Sequence, residues 1–394
     1  MSKLNDVVIV SAKRTPIGSF QGVFSNFSAH KLGALVIKSL IEETKIDKTA
    51  VDEVIMGNVL SAGQGQAPAR QAALGSGLPN SVECLTINKM CGSGLKAVML
   101  ASQAIQAGDA EIIIAGGMEN MSQAPYLLPK ARSGYRLGNG EFIDSIIKDG
   151  LWDAYNDKHM GTCAEMCVNK NSFSREDLDN FAKISYERAI HAQENNLFIE
   201  EIVPVTVSHR KSDDQIINND EEPSRVNFKK MPLLKPAFED NGSITAANAS
   251  KINDGAAALM LMAREKANSL GLKPLVSIMA QASASHEPEW FTTAPLKAIS
   301  STLKKGNLNS NDIDLWEINE AFGPVVMAAI KEYKLDHNKV NIHGGAIALG
   351  HPIGCSGARI LTTLIHAMIK REARTGLATL CIGGGEASAI LVRR

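Results

Sequence analysis

The chain has 394 residues, 44% of them hydrophobic and 21% charged, with 41 lysines and arginines against 42 aspartates and glutamates for a formal net charge of -1. That near-neutral balance sets aside nucleic acid and anionic membrane as main partners, since both favour strongly basic proteins. The length suits two domains or one large duplicated fold, and six scattered cysteines resemble no disulfide framework, which points to a reducing compartment.

A β-type run begins at Val7 in "VVIVSAKRTPIG" and leaves no room for a leader peptide, while the terminal "ILVRR" carries no peroxisomal tripeptide. No apolar run approaches the roughly 20 residues needed to span a bilayer. The expected location is cytoplasmic. Next, "VDEVIMGNVL" (51–60) reads as an apolar strand closing on Asn58. The segment "INKMCGSGLKAVMLASQAI" (87–105) then sets Cys91 at a strand-to-helix corner among Gly92, Ser93 and Gly94. Two readings of Cys91 compete: a small buried hydrophobe, or a thiol whose pKa is lowered by unpaired N–H groups and the helix dipole. A third strand, "DAEIIIAGGMENMS" (109–122), ends on glycines.

From about 120 to 250 the character changes to mixed loops and helices, including "RSGYRLGNGEF", "SREDLDNFAKISYERAIHAQENN" and a polar run from His209 to Pro236. This reads as an insertion over one end of the first half, where substrate contacts commonly sit. Within it His159, Cys163 and Cys167 recur every four residues. As metal ligands they fail, because eight helical residues span roughly 12 Å, too far for one ion.

The last third repeats the first. "DIDLWEINEAF" (312–322) matches the Asn58 strand, "HPIGCSGARILTTLIHAMI" (351–369) matches the Cys91 helix through a shared Ser-Gly step, and "GLATLCIGGGEASA" (376–389) matches the third strand. Spacing agrees as well: 36 positions from Asn58 to Gly94, and 38 from Asn319 to Gly357. Strands alternating with helices imply two α/β halves with helices between and outside their sheets. Pseudo-symmetry would bring Cys91 of one half to Asn319, His351 and Cys381 of the other. Glycines around Gly383 bare their backbone N–H groups, which can receive an oxyanion. A nucleophilic cysteine, a second cysteine, a histidine and such donors suit carbon–carbon chemistry at a thioester.

On "NEAF", "GGAIALGHPIGCSGAR", "CIGGGEASA" and the Cys91 segment, the chain resembles the thiolase family, from "VIVSAKRTPIGSF" to "ASAILV". "HMGTCAEM" (159–166), "RVNFKKMPLLKPAF" (225–238) and "ITAANASKINDGAAAL" (244–259) are closer to its short-chain acetyl-CoA acetyltransferase branch than to the degradative, long-chain branch. The resemblance implies a five-layered α-β-α-β-α fold. Residues 1–119 with 249–270 would form the first half, 120–248 an inserted loop domain, and 271–394 the second half. It implies ping-pong Claisen condensation of two acetyl-CoA to acetoacetyl-CoA and CoA, and the reverse thiolysis. A degradative 3-ketoacyl-CoA thiolase is the alternative. A ketosynthase is disfavoured by the second cysteine, and a silent scaffold by retention of all four polar groups.

In roles carried over from the family, Cys91 is the nucleophile, His351 the base, Cys381 the acid/base, Asn319 the holder of an oxyanion-hole water, and Gly383 a backbone donor. CoA contacts fall on His159, Met160, Tyr186, Arg225, Val226, Asn227, Lys230, Leu234, Phe238, Ala246, Ser250 and Phe322, with Arg225, Lys229 and Lys230 suited to phosphates. No cofactor is required, CoA being substrate and product, although part of the branch implies potassium at Tyr186, Ala246, Ala247, Ala249 and Ile347. Members are usually dimers or tetramers of one chain. Four positions depart from the common pattern or stand out: Lys251 after Asn-Ala-Ser, Gly323 after Phe322, Glu386 near Cys381, and Cys355 in the His351 loop.

Overall fold

The computed structural model describes residues 6–208 and 213–394, so the start of the polar run at His209 lies outside the described residues. In the first half, β1 (Val7–Arg14) leads to helix α1 (Ala29–Thr44), strand β2 (Glu53–Gly57) and helix α2 (Pro68–Gly75). Strand β3 (Glu83–Ile87), helix α3 (Ser93–Ala107) and strand β4 (Ile112–Asn120) follow. The insertion contributes α4 (Met160–Asn171) and α5 (Arg175–Glu194), after which β5 (Asn253–Ala263) returns to the first half. The second half runs β6 (Val276–Ser285), α6 (Ala294–Gly306), β7 (Leu315–Ile318), α7 (Gly323–Tyr333), α8 (Ile353–Lys370), β8 (Thr375–Ile382) and β9 (Glu386–Arg393).

The strands follow the order β7-β8-β9-β6-β1-β5-β4-β2-β3. On the first side β1–β5 and β5–β4 are antiparallel, while β4–β2 and β2–β3 are parallel. On the second side β6–β9 and β9–β8 are antiparallel, β8–β7 is parallel, and a lone parallel bridge from Trp316 to Val340 occupies the place of β3. The two half-sheets repeat one pattern. They join between β1 and β6, where Val8 pairs with Ser277 and Ile9 with Val276.

Apolar strands require cover on both faces, and the helices supply it in three layers. α1 buries Leu32, Val36, Ile37, Leu40 and Ile41 at helical spacing against β5, β1 and β4. α6 covers β6 and β9 on the opposite outer face. Between the half-sheets lie α3 and α8, whose side chains share one core with both. This is the five-layered α-β-α-β-α arrangement.

The two central helices meet at equivalent glycines of the repeat. A Cβ on Gly94 would stand 2.7 Å from the Ala358 nitrogen, and one on Gly357 2.4 Å from the Leu95 nitrogen. No side chain fits there. Because α3 and α8 cross at their starts, the residues just before each helix, Cys91 and His351, come to the same face.

Candidate active site

The chain leaves β3 at Ile87 and must turn sharply before α3. Met90 takes a left-handed backbone, φ 46°, which is uncommon without a glycine and stores strain. The corner is held by its neighbours: Asn88 Oδ1 accepts from Met90 N–H at 3.0 Å, and Ser93 Oγ accepts from Lys89 N–H at 2.9 Å. Ser93 Oγ in turn donates to the Met90 carbonyl at 2.6 Å. The turn leaves Cys91 partly accessible from one side.

Helix-start geometry alone predicts a lowered thiol pKa at Cys91, and the structure corrects that expectation. The N–H groups of Gly383 and of Cys91 itself favour the thiolate, but burial outweighs them and pushes the thiol up to about 11. The thiol is therefore protonated at neutral pH, and a reaction at Cys91 would need a base. Cys381, fully buried near the end of β8, is pushed well above the ordinary thiol range by burial and then by the nearby charge of Cys91. Of these two neighbouring thiols, Cys91 is the one given backbone donors by both halves.

His351 stands in a tight loop. Gly350 has φ 108°, and a Cβ there would lie 2.4 Å from the Asn253 side chain. Asn253 Oδ1 accepts the His351 N–H at 2.9 Å, while its Nδ2 donates to the Gly18 carbonyl at 3.0 Å. On the ring, Nδ1 lies 2.6 Å from Ser356 Oγ, which donates to the Pro352 carbonyl at 2.9 Å. With the one hydroxyl proton used on Pro352, we assign the ring proton to Nδ1. His351 Nε2 is then the unprotonated nitrogen, buried and without a hydrogen-bond partner among the described residues. Burial lowers its pKa to about 3, so the imidazole is neutral. Asn319, buried beyond the end of β7, places Nδ2 3.5 Å from His351 Nδ1, and its Oδ1 has no hydrogen-bond partner among the described residues.

Cys91, His351 and Gly383 line one cavity of about 230 Å³. Met121, Ile147, Leu151, Phe291 and Ile353 give it apolar walls. Of the expected CoA contacts, His159, Met160, Phe238, Ser250 and Phe322 line it too. His159 caps α4 by accepting the Gly161 N–H at 3.0 Å and stacks on Phe238 with ring centres 4.8 Å apart. Tyr186, Val226 and Leu234 instead belong to a neighbouring apolar cluster, as does Ala247 of the expected potassium set. Arg225 pairs with Glu221 at 3.7 Å, Asn227 accepts the Lys230 N–H at 3.3 Å, and Lys230 and Ala246 are exposed. A larger hollow of about 600 Å³ near Arg371 and Arg374 holds none of the expected site residues.

Glu119 and Ser356 escaped the motif reading, and Glu386 was read without its partner. Glu119 accepts from the N–H groups of Val59, Leu60 and Gly354 at 3.0, 3.2 and 2.9 Å, joining the end of β2 to the start of α8. Burial raises its pKa to about 7. Glu386, which read as an added negative charge near Cys381, pairs with Lys89 at 2.6 Å across the halves. Ser356 had a detectable signal: the repeat aligns it with Ser93, and each serine holds the loop before its helix. Ser356→Ala is expected to slow acetylation of Cys91 roughly 10- to 100-fold by freeing the imidazole. Because Ser356 acts through His351, the KM for acetyl-CoA should stay unchanged; a raised KM at unaltered kcat would contradict this role.

Comparison with known proteins follows the same lines. The thiolase N-terminal domain matches residues 7–265 and the thiolase C-terminal domain residues 272–394. An acetyl-CoA acetyltransferase of Pseudomonas aeruginosa is 50% identical over 99% of this chain and 100% of its own. The mitochondrial acetyl-CoA acetyltransferase of Rattus norvegicus is 50% identical over 99% and 92%. Among solved structures, the Acat5 thiolase of Ascaris suum in complex with coenzyme A superposes with a TM-score of 0.94 at 46% identity, covering 99% and 100% of the two chains. The Bacillus anthracis acetyl-CoA acetyltransferase gives 0.97 at 39% identity over 100% of each.

Proposed function

The chain belongs to the thiolase family, and we propose that it is an acyltransferase joining two molecules of acetyl-CoA into acetoacetyl-CoA and CoA, and cleaving the product in reverse. The observation that carries this reading is Cys91 in a small apolar cavity, between two backbone N–H donors and beside a neutral histidine with a free Nε2.

In the first half-reaction His351 Nε2 takes the Cys91 proton, and the thiolate attacks the thioester carbonyl of acetyl-CoA. The oxyanion sits between the N–H groups of Cys91 and Gly383, where fixed dipoles in a dry site act strongly. CoA leaves as its thiol with the proton from Cys381, which becomes a thiolate while His351 keeps the proton taken from Cys91. In the second, the Cys381 thiolate removes a methyl proton from another acetyl-CoA, with the Nε2–H of His351 and a water on Asn319 meeting the enolate oxygen. The enolate carbon attacks the acetyl-Cys91 carbonyl, and collapse expels the Cys91 thiolate, which recovers its proton from His351. A lone buried thiol stays protonated, so Cys381 acts as a base only after giving its proton to CoA.

The likeness of the 225–238 segment to the family supports CoA binding over it, with Lys229 and Lys230 left exposed for phosphates. Self-association as a dimer or tetramer rests on family likeness, and a cytoplasmic location on cysteines that resemble no disulfide framework; among the described residues no helix is long and apolar enough to cross a membrane.

The cavity's size makes chain length the discriminating test. Each methylene without a pocket forfeits about 1 to 3 kcal/mol, or roughly 10- to 200-fold in discrimination. Acetoacetyl-CoA is expected to be cleaved far faster than a ten-carbon 3-ketoacyl-CoA in side-by-side thiolysis assays. Comparable efficiency on both would favour a degradative thiolase.

A further inference from the structure

The residues around the expected potassium position do not fit a free cation. Ala249 accepts the Lys251 ammonium on its carbonyl at 2.9 Å, and the same ammonium stands 5.7 Å from the centre of the Tyr186 ring. Burial pulls the Lys251 pKa down to about 8, and the nearby Glu222 and Glu320 oppose it by favouring the charged form. Ile347 gives its N–H to Glu320 Oε2 at 3.2 Å, and Ala246 faces solvent. A free monovalent ion at Ala249 and Tyr186 would meet a like charge already in place.

The segment that Lys251 grips forms one wall of the reaction cavity. Ser250 N–H donates to the Ala321 carbonyl at 3.0 Å, Gly323 N–H to the Asn248 carbonyl at 3.2 Å, and Ala249 bridges Phe322. Residues 248–251 are therefore laced to the stretch directly following Asn319 and Glu320. Ala249, Ser250, Ala321 and Phe322 all line the cavity, as does Lys251. Glu320 is itself fixed, accepting from Ser185 Oγ at 2.6 Å and Asn341 Nδ2 at 2.8 Å.

We propose that Lys251 is a tethered cation: its ammonium takes the place of a free monovalent ion and holds the Ala249–Ser250 wall against the Glu320 end of β7, so turnover needs no added potassium. Lys251 acts as a positioning residue, with no part in bond making. An ammonium and a potassium ion carry the same charge and bind the same partners, a carbonyl oxygen, a ring face and nearby carboxylates. Tethering removes the cost of capturing the ion from solution. The inference rests on the acyl-transfer reading for its kinetic arm, and its second arm is independent of turnover.

The test compares wild type, Lys251→Met and Lys251→Ala in sodium, potassium and ammonium chloride at equal ionic strength. Wild-type thiolysis of acetoacetyl-CoA and its melting temperature are expected to be the same in all three salts. Lys251→Met keeps the stem without the charge and should lose about tenfold or more in kcat/KM in every salt. Lys251→Ala opens the position and should lose a similar factor in sodium, recovering both rate and melting temperature in potassium or ammonium. Strong activation or stabilisation of wild type by potassium overturns the proposal. So does a Lys251→Met enzyme with wild-type rate, or a Lys251→Ala enzyme whose rate and melting temperature ignore the cation. If wild type cleaves no acetoacetyl-CoA, the acyl-transfer reading fails, and the melting temperatures alone decide the role of Lys251.

Discussion

Cys91→Ala is expected to form no acetyl-enzyme and to lose more than about 10⁴-fold in both condensation and thiolysis, measured by CoA release and acetoacetyl-CoA turnover. A methyl group cannot attack a thioester, and among the cysteines only Cys91 lines the cavity that His351 and Gly383 share. The loss should not reflect unfolding, since Cys91 only packs at the edge of the central core and removal of one sulfur there leaves its neighbours in place. The same chemistry fixes a pH signature. Free histidine is protonated below about pH 6.5 and would be lost as a base there, whereas burial lowers His351 to about 3. Acetylation of the wild-type enzyme should therefore hold its rate from about pH 8 down to about pH 6. A decline centred near the ordinary histidine value would show that His351 is solvated or is not the base.

Cys381→Ala is expected to separate the two half-reactions. The variant should still accept an acetyl group from acetyl-CoA, because Cys91, His351 and the two N–H donors are untouched and His351 can return its proton to the departing CoA. Condensation should fall about 10²- to 10⁴-fold, the usual worth of general acid–base assistance, because nothing remains to take the methyl proton. If Cys381 were only packing at the end of β8, the same change would remove one buried sulfur, lower stability modestly and leave condensation near normal. Single-turnover acetylation and steady-state acetoacetyl-CoA synthesis, measured on one preparation, tell the two apart. Normal condensation by Cys381→Ala removes the proposed second half-reaction.

The duplicated architecture was legible because its signals are local. Apolar runs such as "EIIIAGG" and "TLCIGGG" demand two covered faces, and the Ser-Gly steps mark the start of both central helices. Those steps also carried the least obvious geometry, since Gly94 and Gly357 are where the helices touch. Pseudo-symmetry led to the expectation that Cys91, Asn319, His351 and Cys381 converge; Cys91 and His351 share one cavity with Gly383, whereas Asn319 and Cys381 do not line it. What sequence could not supply depends on distant partners and on burial. The direction of the Cys91 shift reversed because desolvation is a property of the assembled core. Glu386 changed meaning once Lys89, 297 positions away, was found beside it. Arg225 looked free for phosphate in the sequence, yet its nearest counter-charge is Glu221 one turn earlier. Asn253 and Glu119 were invisible for the same reason, each fixing a loop 98 or 235 positions away.

The most direct test of the central claim is peptide mapping of the acetyl-enzyme. Cys381→Ala, which should accumulate the intermediate, is mixed with acetyl-CoA, quenched in acid, digested and analysed by mass spectrometry. A single acetyl group on the peptide containing Cys91, removed when free CoA is added before the quench, is the predicted result. Acetyl on Cys355 or Cys163 instead, or no covalent acetyl-enzyme at all, would contradict it.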